Sequence, residues 1–408
     1  VTTVEIAITA LAAGGDAIGR DEGGRVTFIA RVVPGDRVRV RIVEEHARWA
    51  RGELVDVVAP SPDRVVPPCA LFAEDACGGC QWQHVARPAQ LAAKQAIVAG
   101  ALRKAIARGM ALREIVDPGP AYGWRRRARL HAQGGALGFY APRSHAVADL
   151  AIACAQLDPA LDRAVAAVRD ARPPDGEVDV AIGHRGEVVV ATAAWDVAGT
   201  LVGRAGIVGV VADGVEHGTV EIEIEPGLVA RAGDFAQAAA RANRALIELV
   251  LDAVGSPAKS PQPQPQPQPQ PARLLELYAG EGNFTRALVA AGWDVTAADV
   301  VAPRRVLPGV RRITGTATDA IARVAGERFD AIVLDPPRAG AIEAVRAIAA
   351  PRIAYVSCDP ATLGRDLEIL AERGYRAVRA QPIDVMPQTA HVEVVVALTA
   401  PDSPARTG

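Results

Sequence analysis

Lysine is almost missing: only Lys94, Lys104 and Lys259 occur in 408 residues, so nearly every cation is an arginine. No apolar run approaches the ~18 residues that a membrane span requires. The longest apolar region, Val188 to Val215, is interrupted by Asp196, Arg204 and Asp213. The N-terminus carries no basic, apolar leader; Val1 to Ile8 alternates as a strand does. These absences argue against membrane insertion and secretion, and the chain is read as cytoplasmic with no membrane partner. An excess of one charge is missing too: 45 Lys and Arg face 47 Asp and Glu, for a net charge of -2. A uniformly basic nucleic-acid coat is thereby excluded, while a local basic face stays open. Half the residues are apolar and 23% are charged, a globular composition. At ~150 residues per domain the length corresponds to two or three domains.

Cysteine is scarce and odd in number: Cys69, Cys77, Cys80, Cys154 and Cys358. An odd count in a cytoplasmic chain argues against a disulfide framework. Three cysteines cluster in PPCALFAEDACGGCQWQH, where Gly78 and Gly79 permit the tight backbone that lets two thiolates converge. A structural zinc or an iron–sulfur cluster needs a fourth ligand. Cys154 is the other cysteine in this half of the chain. A redox C-x-x-C would open a helix in a thioredoxin-like unit, and that context is missing. A four-cysteine metal site is the better reading, and spacing alone does not choose between zinc and [4Fe–4S].

Residues 1–60 read as short strands. PGDRVRVRIVEE sets Val38, Val40 and Ile42 on one face and Arg37, Arg39 and Arg41 on the other, the pattern of a small β-barrel. Acids such as Glu5 and Asp16 balance these arginines, so a solvated face competes with RNA contact. Residues 61–230 carry the cysteines, a helix expected over Arg87 to Arg108, and mixed strands and helices. From Arg87 to His131 there are ten Lys or Arg against Glu114 and Asp117, a block read here as a phosphate-contacting face. Residues 260–271 read SPQPQPQPQPQP, which forms exposed polyproline II. Residues 231–402, around this insertion, alternate strand and helix, as a doubly wound α/β sheet does.

Motifs fall at the strand ends of this last region. In LLELYAGEGNFT, Gly280 and Gly282 allow a tight turn and close approach of a ligand. Thr285 stands where a dinucleotide fingerprint would want a third glycine. Glu276 precedes the turn instead, an arrangement that resembles the first motif of class I S-adenosylmethionine methyltransferases. Asp299, seventeen residues past Gly282, is placed to bind ribose hydroxyls. LDPPRAG puts Asp335 at a strand end, and Arg338 follows where amino-methylating enzymes carry a stacking Tyr or Phe. VSCDPATLGRDL puts Cys358 at another strand end, positioned as a nucleophile. MPQTAHVEVVVAL puts Glu393 thirty-five residues later, at a strand start. Uracil C5 is too weak a nucleophile for a sulfonium methyl. A thiolate adding at C6 makes C5 enolate-like, and a base must then remove the C5 proton.

LELYAGEGNF, LDPPRAG, SCDPATLGRDL and PQTAHVE together resemble the RNA uracil-C5 methyltransferase family, and the resemblance covers nearly the whole chain. It implies an N-terminal TRAM-type barrel, a central α+β domain carrying a four-cysteine site, and a Rossmann-like class I methyltransferase domain. It implies Cys358 as nucleophile and Glu393 as base. Gln237 in GDFAQ, Tyr278, Gly280, Asn283, Asp299 and Asp335 are implied around S-adenosylmethionine, with Asp335 also facing the uracil. Cys69, Cys77, Cys80 and Cys154 resemble the [4Fe–4S] ligands of the members that modify 23S rRNA. RNA is the implied partner, 23S rRNA ahead of tRNA, and no obligate protein partner is called for. Two departures stand out: the seven-residue gap between Cys69 and Cys77, longer than the family's five, and Ala239 where the family has Asn. Gln237 precedes the Pro-Gln run yet belongs with the cofactor site, which makes the run an insertion within one domain. Two rivals are a base N-methyltransferase with a structural Cys358, and a redox-responsive RNA-binding protein on a degenerate methyltransferase fold.

Overall fold

The computed structural model describes residues 3–234, 236–257, 271–305 and 307–401. The Pro-Gln run lies outside the described residues except for Pro271. Five strands, β1 (Thr3–Leu11), β2 (Ala17–Arg20), β3 (Val26–Ile29), β4 (Arg37–Glu45) and β5 (Trp49–Ala59), close into a barrel in the order β1-β2-β3-β5-β4. The alternation in β4 works as the sequence indicates: Val38 and Val40 are fully buried, and the arginines point out. Each arginine meets an acid on the neighbouring strand, Arg37 with Glu5, Arg39 with Asp56 and Arg41 with Glu53. The outer face is therefore a ladder of ion pairs.

Next come α1 (Ala70–Ala73), α2 (Arg87–Ala101), α3 (Arg103–Ala107) and β6 (Ala111–Leu112). The single helix expected over Arg87 to Arg108 is broken at Leu102, where φ is -96° and ψ 13°. A seven-stranded sheet follows, built from β7 (Arg127–Gln133), β8 (Ala136–Tyr140), β9 (Val147–Asp149), β10 (Gly176–Ile182), β11 (Val188–Thr192), β12 (Ile207–Ala212) and β13 (Val215–Gly218). One face packs on α4 (Pro159–Asp170), whose Leu161, Val165 and Val168 meet Leu130, Val178 and Val180. The hairpin β14 (Glu221–Glu225) and β15 (Leu228–Arg231) leads into α5 (Ala240–Val254).

The largest sheet has eight strands. Its own strands are β16 (Arg273–Leu277), β17 (Asp294–Asp299), β18 (Arg311–Thr314), β19 (Ala331–Leu334), β20 (Arg352–Ser357), β21 (Arg376–Ile383) and β22 (Glu393–Thr399). The order is β18-β17-β16-β19-β20-β22-β21-β6, parallel through β20, with β22 antiparallel to both neighbours. β6 pairs with β21, so the segment after α3 completes this sheet from far upstream. The intervening helices are α6 (Asn283–Ala290), α7 (Ala317–Arg323), α8 (Ile342–Ala347) and α9 (Pro360–Glu372). Both faces of the sheet are covered, as a parallel sheet requires. Leu275, Leu277, Ile332 and Leu334 pack with Val98, Leu102, Leu363 and Leu367 on one side. Leu274, Val333 and Val356 pack with Leu246, Val250 and Val254 of α5 on the other. Each such fully buried side chain stabilises the fold by about 1.5–3 kcal/mol. Among the described residues no helix is long and apolar enough to cross a membrane.

Candidate active site

Parallel strands direct their carboxyl ends to one edge, and the motif residues collect there. After β16 the chain turns through Tyr278 (φ +65°), Gly280 (φ +51°) and Gly282 (φ +93°). A left-handed tyrosine costs of order 1–3 kcal/mol, which the surroundings must hold. Asp299, ending β17, accepts from the Gly280 amide at 2.9 Å and from the Val301 amide at 3.0 Å. Asn283 opens α6 and exchanges amide hydrogen bonds with Asn243 of α5 at 2.9 and 2.8 Å. Beneath the turn lies Glu276, only 1% exposed. It accepts from the Thr285 hydroxyl at 2.6 Å, which gives Thr285 a use in the place of a third glycine. Burial pushes the Glu276 carboxyl up to about 8. Among the described residues, the hydrogen bonds of this turn do not reach Gln237, which stands half-buried ahead of α5.

Strand pairing brings the remaining motifs together. β19 ends at Leu334, so Asp335 stands at the edge beside the end of β20. In the antiparallel pair β20–β22, Ser357 lies opposite Val394. Cys358 and Glu393 are the next residues beyond this pair, so the thiol and the carboxyl stand at adjoining strand ends, close enough for the carboxylate to act on the thiol. Thirty-five residues of chain thus close into side-by-side neighbours. Asp359 then caps α9, accepting from the Ala361 and Thr362 amides at 3.0 and 2.9 Å, with Pro360 at the first helical position. A cavity of about 250 Å³ opens over Cys358, walled by Arg338, Pro360, Ala390, His391 and Ala13 of the barrel. That is below the ~300–1,000 Å³ of drug-sized pockets and suits a single nucleobase.

The electrostatics are set by burial. It pushes the Cys358 thiol up to about 11; the Glu393 carboxylate adds to the rise and Arg338 opposes it. Burial also raises Glu393 to about 8, with Asp335 reinforcing and Arg338 opposing. Asp335 is raised to about 7 by burial alone. His391, whose ring lies 3.5 Å from the Arg338 guanidinium, is lowered to about 4 by burial and by that cation, so it is neutral at pH 7. Two acids and a thiol therefore meet one arginine in a poorly solvated crevice, an arrangement able to add a nucleophile and move a proton. Arg338 and His391 were not expected as site residues. The position of His391, two residues before Glu393, was a usable signal.

The four remaining cysteines share a different cavity. Cys69, Cys77, Cys80 and Cys154 line a space of about 20 Å³ with Phe72, Phe139 and Arg125. Burial raises the Cys77 and Cys154 thiols and pushes Cys80 to about 12. Among the described residues, no group of three or more His, Cys, Asp and Glu side chains could hold a metal ion. The sequence reading of a four-cysteine metal centre is thus met only as far as a common cavity. The chemistry of its walls does fit an anionic thiolate-bound group. The Arg125 guanidinium stacks over Phe139 at 4.9 Å, Gln83 hydrogen-bonds the Cys80 sulfur, and the buried Gln156 amide nitrogen has no partner.

The basic block behaves differently from the expectation of an open phosphate-contacting face. Arg87 and Lys94 pair with the buried Asp384, Lys104 and Arg108 with Glu368, and Arg127 and Arg129 with Asp179. Arg125 lines the cysteine cavity. Most of these cations tie the fold together.

Comparison with known proteins agrees with this geometry. Residues 322–401 match the tRNA (uracil-5-)-methyltransferase family model, and residues 1–55 match the TRAM domain. A 23S rRNA (uracil(1939)-C(5))-methyltransferase of Thiobacillus denitrificans is 32% identical, over 91% of this chain and 94% of its own. An uncharacterized RNA methyltransferase of Thermosynechococcus vestitus is 31% identical, over 97% of this chain and 98% of its own. The solved tRNA (uracil-54, C5)-methyltransferase of Pyrococcus abyssi, in complex with S-adenosyl-L-homocysteine, superposes with a TM-score of 0.71 at 20% identity. It spans 97% of this chain and 99% of its own length, a likeness of fold.

Proposed function

The chain belongs to the family of S-adenosylmethionine-dependent RNA uracil-C5 methyltransferases, and from that premise we propose that it forms 5-methyluridine in 23S rRNA, with Cys358 as nucleophile and Glu393 as base. The observation that carries the assignment of roles is the β20–β22 register, which sets the thiol and the carboxyl on adjoining strand ends. The ribosomal substrate is supported by the named relatives of near-full coverage, such as that of Thiobacillus denitrificans. A ribosomal substrate also agrees with a cytoplasmic protein.

The target uridine leaves its stack so that its face meets Cys358 in the crevice beside Arg338. Cys358 gives its proton to water and its sulfur bonds to C6; the C5=C6 pair moves toward O4, leaving C5 nucleophilic. S-adenosylmethionine supplies an electrophilic methyl group to C5. Glu393, as carboxylate, takes the C5 proton; the electrons restore C5=C6 and the C6–S bond breaks. Arg338 favours both the thiolate and the carboxylate, countering their burial. Asp335 reaches toward both methyl donor and base. Tyr278, Gly280, Asn283 and Asp299 would hold the donor at the glycine turn, with Gln237 assigned to it from the segment ahead of α5.

Cys69, Cys77, Cys80 and Cys154 hold a [4Fe–4S] cluster in this reading. Four thiols lining one cavity, with Arg125 beside them, support this reading. Arg125 is the cation facing its negative charge. Methyl transfer moves no electrons, so the cluster's part is structural.

Incubation with labelled S-adenosylmethionine and unmodified ribosomal and transfer RNA fractions, followed by nucleoside analysis, tests the proposal. 5-Methyluridine in ribosomal RNA is expected. Label confined to transfer RNA would move the substrate, and a different methylated nucleoside would overturn the cysteine mechanism.

A further inference from the structure

Three distant segments meet immediately after Cys80. The Gln81 and Trp82 amides both donate to the Gln388 carbonyl, each at 3.0 Å. The Gln81 side chain reaches in two directions. Its amide nitrogen donates to the Gly78 carbonyl at 3.2 Å, inside the C-x-x-C turn, and its oxygen accepts from the Ala390 amide at 3.4 Å. The barrel closes on the same point: Trp82 Nε1 donates to the Gly15 carbonyl at 2.9 Å, and a Cβ on Gly15 would come within 2.7 Å of Gln81 Cγ. Gln388 is held at φ +67° and only 3% exposed, and its amide and side chain bond Gln90 at 3.1 and 2.9 Å. A non-glycine residue persists in that conformation only when its surroundings over-determine it. Ala390 and His391, just beyond, form a wall of the cavity over Cys358.

We propose that Gln81 is a positioning residue that carries the geometry of the four-cysteine pocket to the wall of the base pocket over Cys358. The inference rests on the reading of Cys358 as the nucleophile. One side chain bridges the cysteine turn and the catalytic loop, so a change in the pocket's occupancy is delivered to Ala390 and His391. The cysteine site thereby serves catalysis through placement alone.

The test compares two substitutions in the full-length holoenzyme. Gln81→Met fills the space but has neither donor nor acceptor. Gln81→Glu keeps the acceptor for the Ala390 amide. Gln81→Met is expected to slow single-turnover 5-methyluridine formation about tenfold, with KM for RNA within about twofold, because sub-ångström misplacement acts on the chemical step. Gln81→Glu keeps only the Ala390 end of the bridge, because a carboxylate cannot donate to the Gly78 carbonyl, so it should be slowed too, and both variants should keep the parent's melting temperature and iron content. A Gln81→Met enzyme with an unchanged rate overturns the proposal. So does a Gln81→Glu enzyme as fast as the parent, or a loss carried by KM alone. If the unmodified enzyme makes no 5-methyluridine in the same assay, the underlying reading fails, and that outcome is distinct from the others.

Discussion

Glu393 offers the sharpest perturbation. Its carboxyl is raised to about 8, first by burial and then by Asp335, with Arg338 pulling the other way. At pH 7 only about one Glu393 in ten is then ionised, whereas an ordinary glutamate is almost fully so. If the carboxylate takes the C5 proton, release of product rises close to tenfold from pH 6 to 7, less steeply to pH 8, and then levels. Methyl transfer has by then turned the donor's sulfonium into a neutral thioether, so the donor brings no cation to shift this midpoint. Glu393→Gln keeps the shape and removes the base. Release should slow ~10²–10⁴-fold, the usual worth of a positioned base, and a covalent RNA–protein species should accumulate. Above pH 8 the variant also frees Cys358 from a like charge, so adduct formation needs less alkali than in the parent. Single-turnover quench followed by denaturing electrophoresis reads both steps. A Glu393→Gln enzyme that releases 5-methyluridine at the parent rate would refute the assignment, as would parent release that is flat between pH 6 and 8.

The same buried acids make stability depend on pH. Folded Glu276, Asp335 and Glu393 hold protons that the unfolded chain has released above about pH 4.5, so raising the pH weakens the fold until about 8. His84 and His391, lowered to about 4, act in the opposite sense only below about 6.5. Denaturant unfolding of the cofactor-free protein should therefore lose on the order of 2–4 kcal/mol between pH 6.5 and 8, and a flat profile would contradict the burial. Lys94 is fully buried against Asp384 at 2.6 Å, with Arg87 on the other oxygen. Lys94→Met should cost about 3 kcal/mol, the low end for breaking a buried pair, because Arg87 stays; a melting temperature unchanged within error would disprove it. Cys154→Ser should lower iron content and the visible absorption of anaerobically purified protein, while a colourless parent containing stoichiometric zinc would dismiss the cluster.

The βα alternation was legible because strands buried on both faces read as unbroken apolar runs, such as AIVL and IAYV, between amphipathic helices. The barrel was legible from the period-two pattern around Val38 and Val40. Cys358 and Glu393 could be singled out by residue type and strand position. Their adjacency could not, because it depends on β22 turning antiparallel beside β20. The ion pairing of the basic block was hidden for a related reason. Its acidic partners, Asp179, Glu368 and Asp384, lie far along the chain and join it only through tertiary packing. The break at Leu102 has only Gly100, two residues upstream, as a local signal, since Leu and its immediate neighbours favour helix. Gln81 looked like an ordinary polar residue beside a cysteine, and its reach to Ala390 needed coordinates.

The two-residue strand β6 has a consequence for how the molecule is made. It covers the outer edge of β21, an edge that would otherwise be open to other chains. Residues 111–112 leave the ribosome long before residues 376–383 exist, a delay of roughly a quarter of a minute to a minute at typical synthesis rates. For much of that interval, until β16 and β19 are made, α2 and α3 hold Val98, Leu102 and Ala105 with no sheet to cover them. The catalytic half of the enzyme is therefore a late assembler, finished only when its last strands return to a segment made near the beginning. Slow synthesis or scarce chaperones should reduce its yield more than that of a neighbour whose sheet is contiguous in sequence.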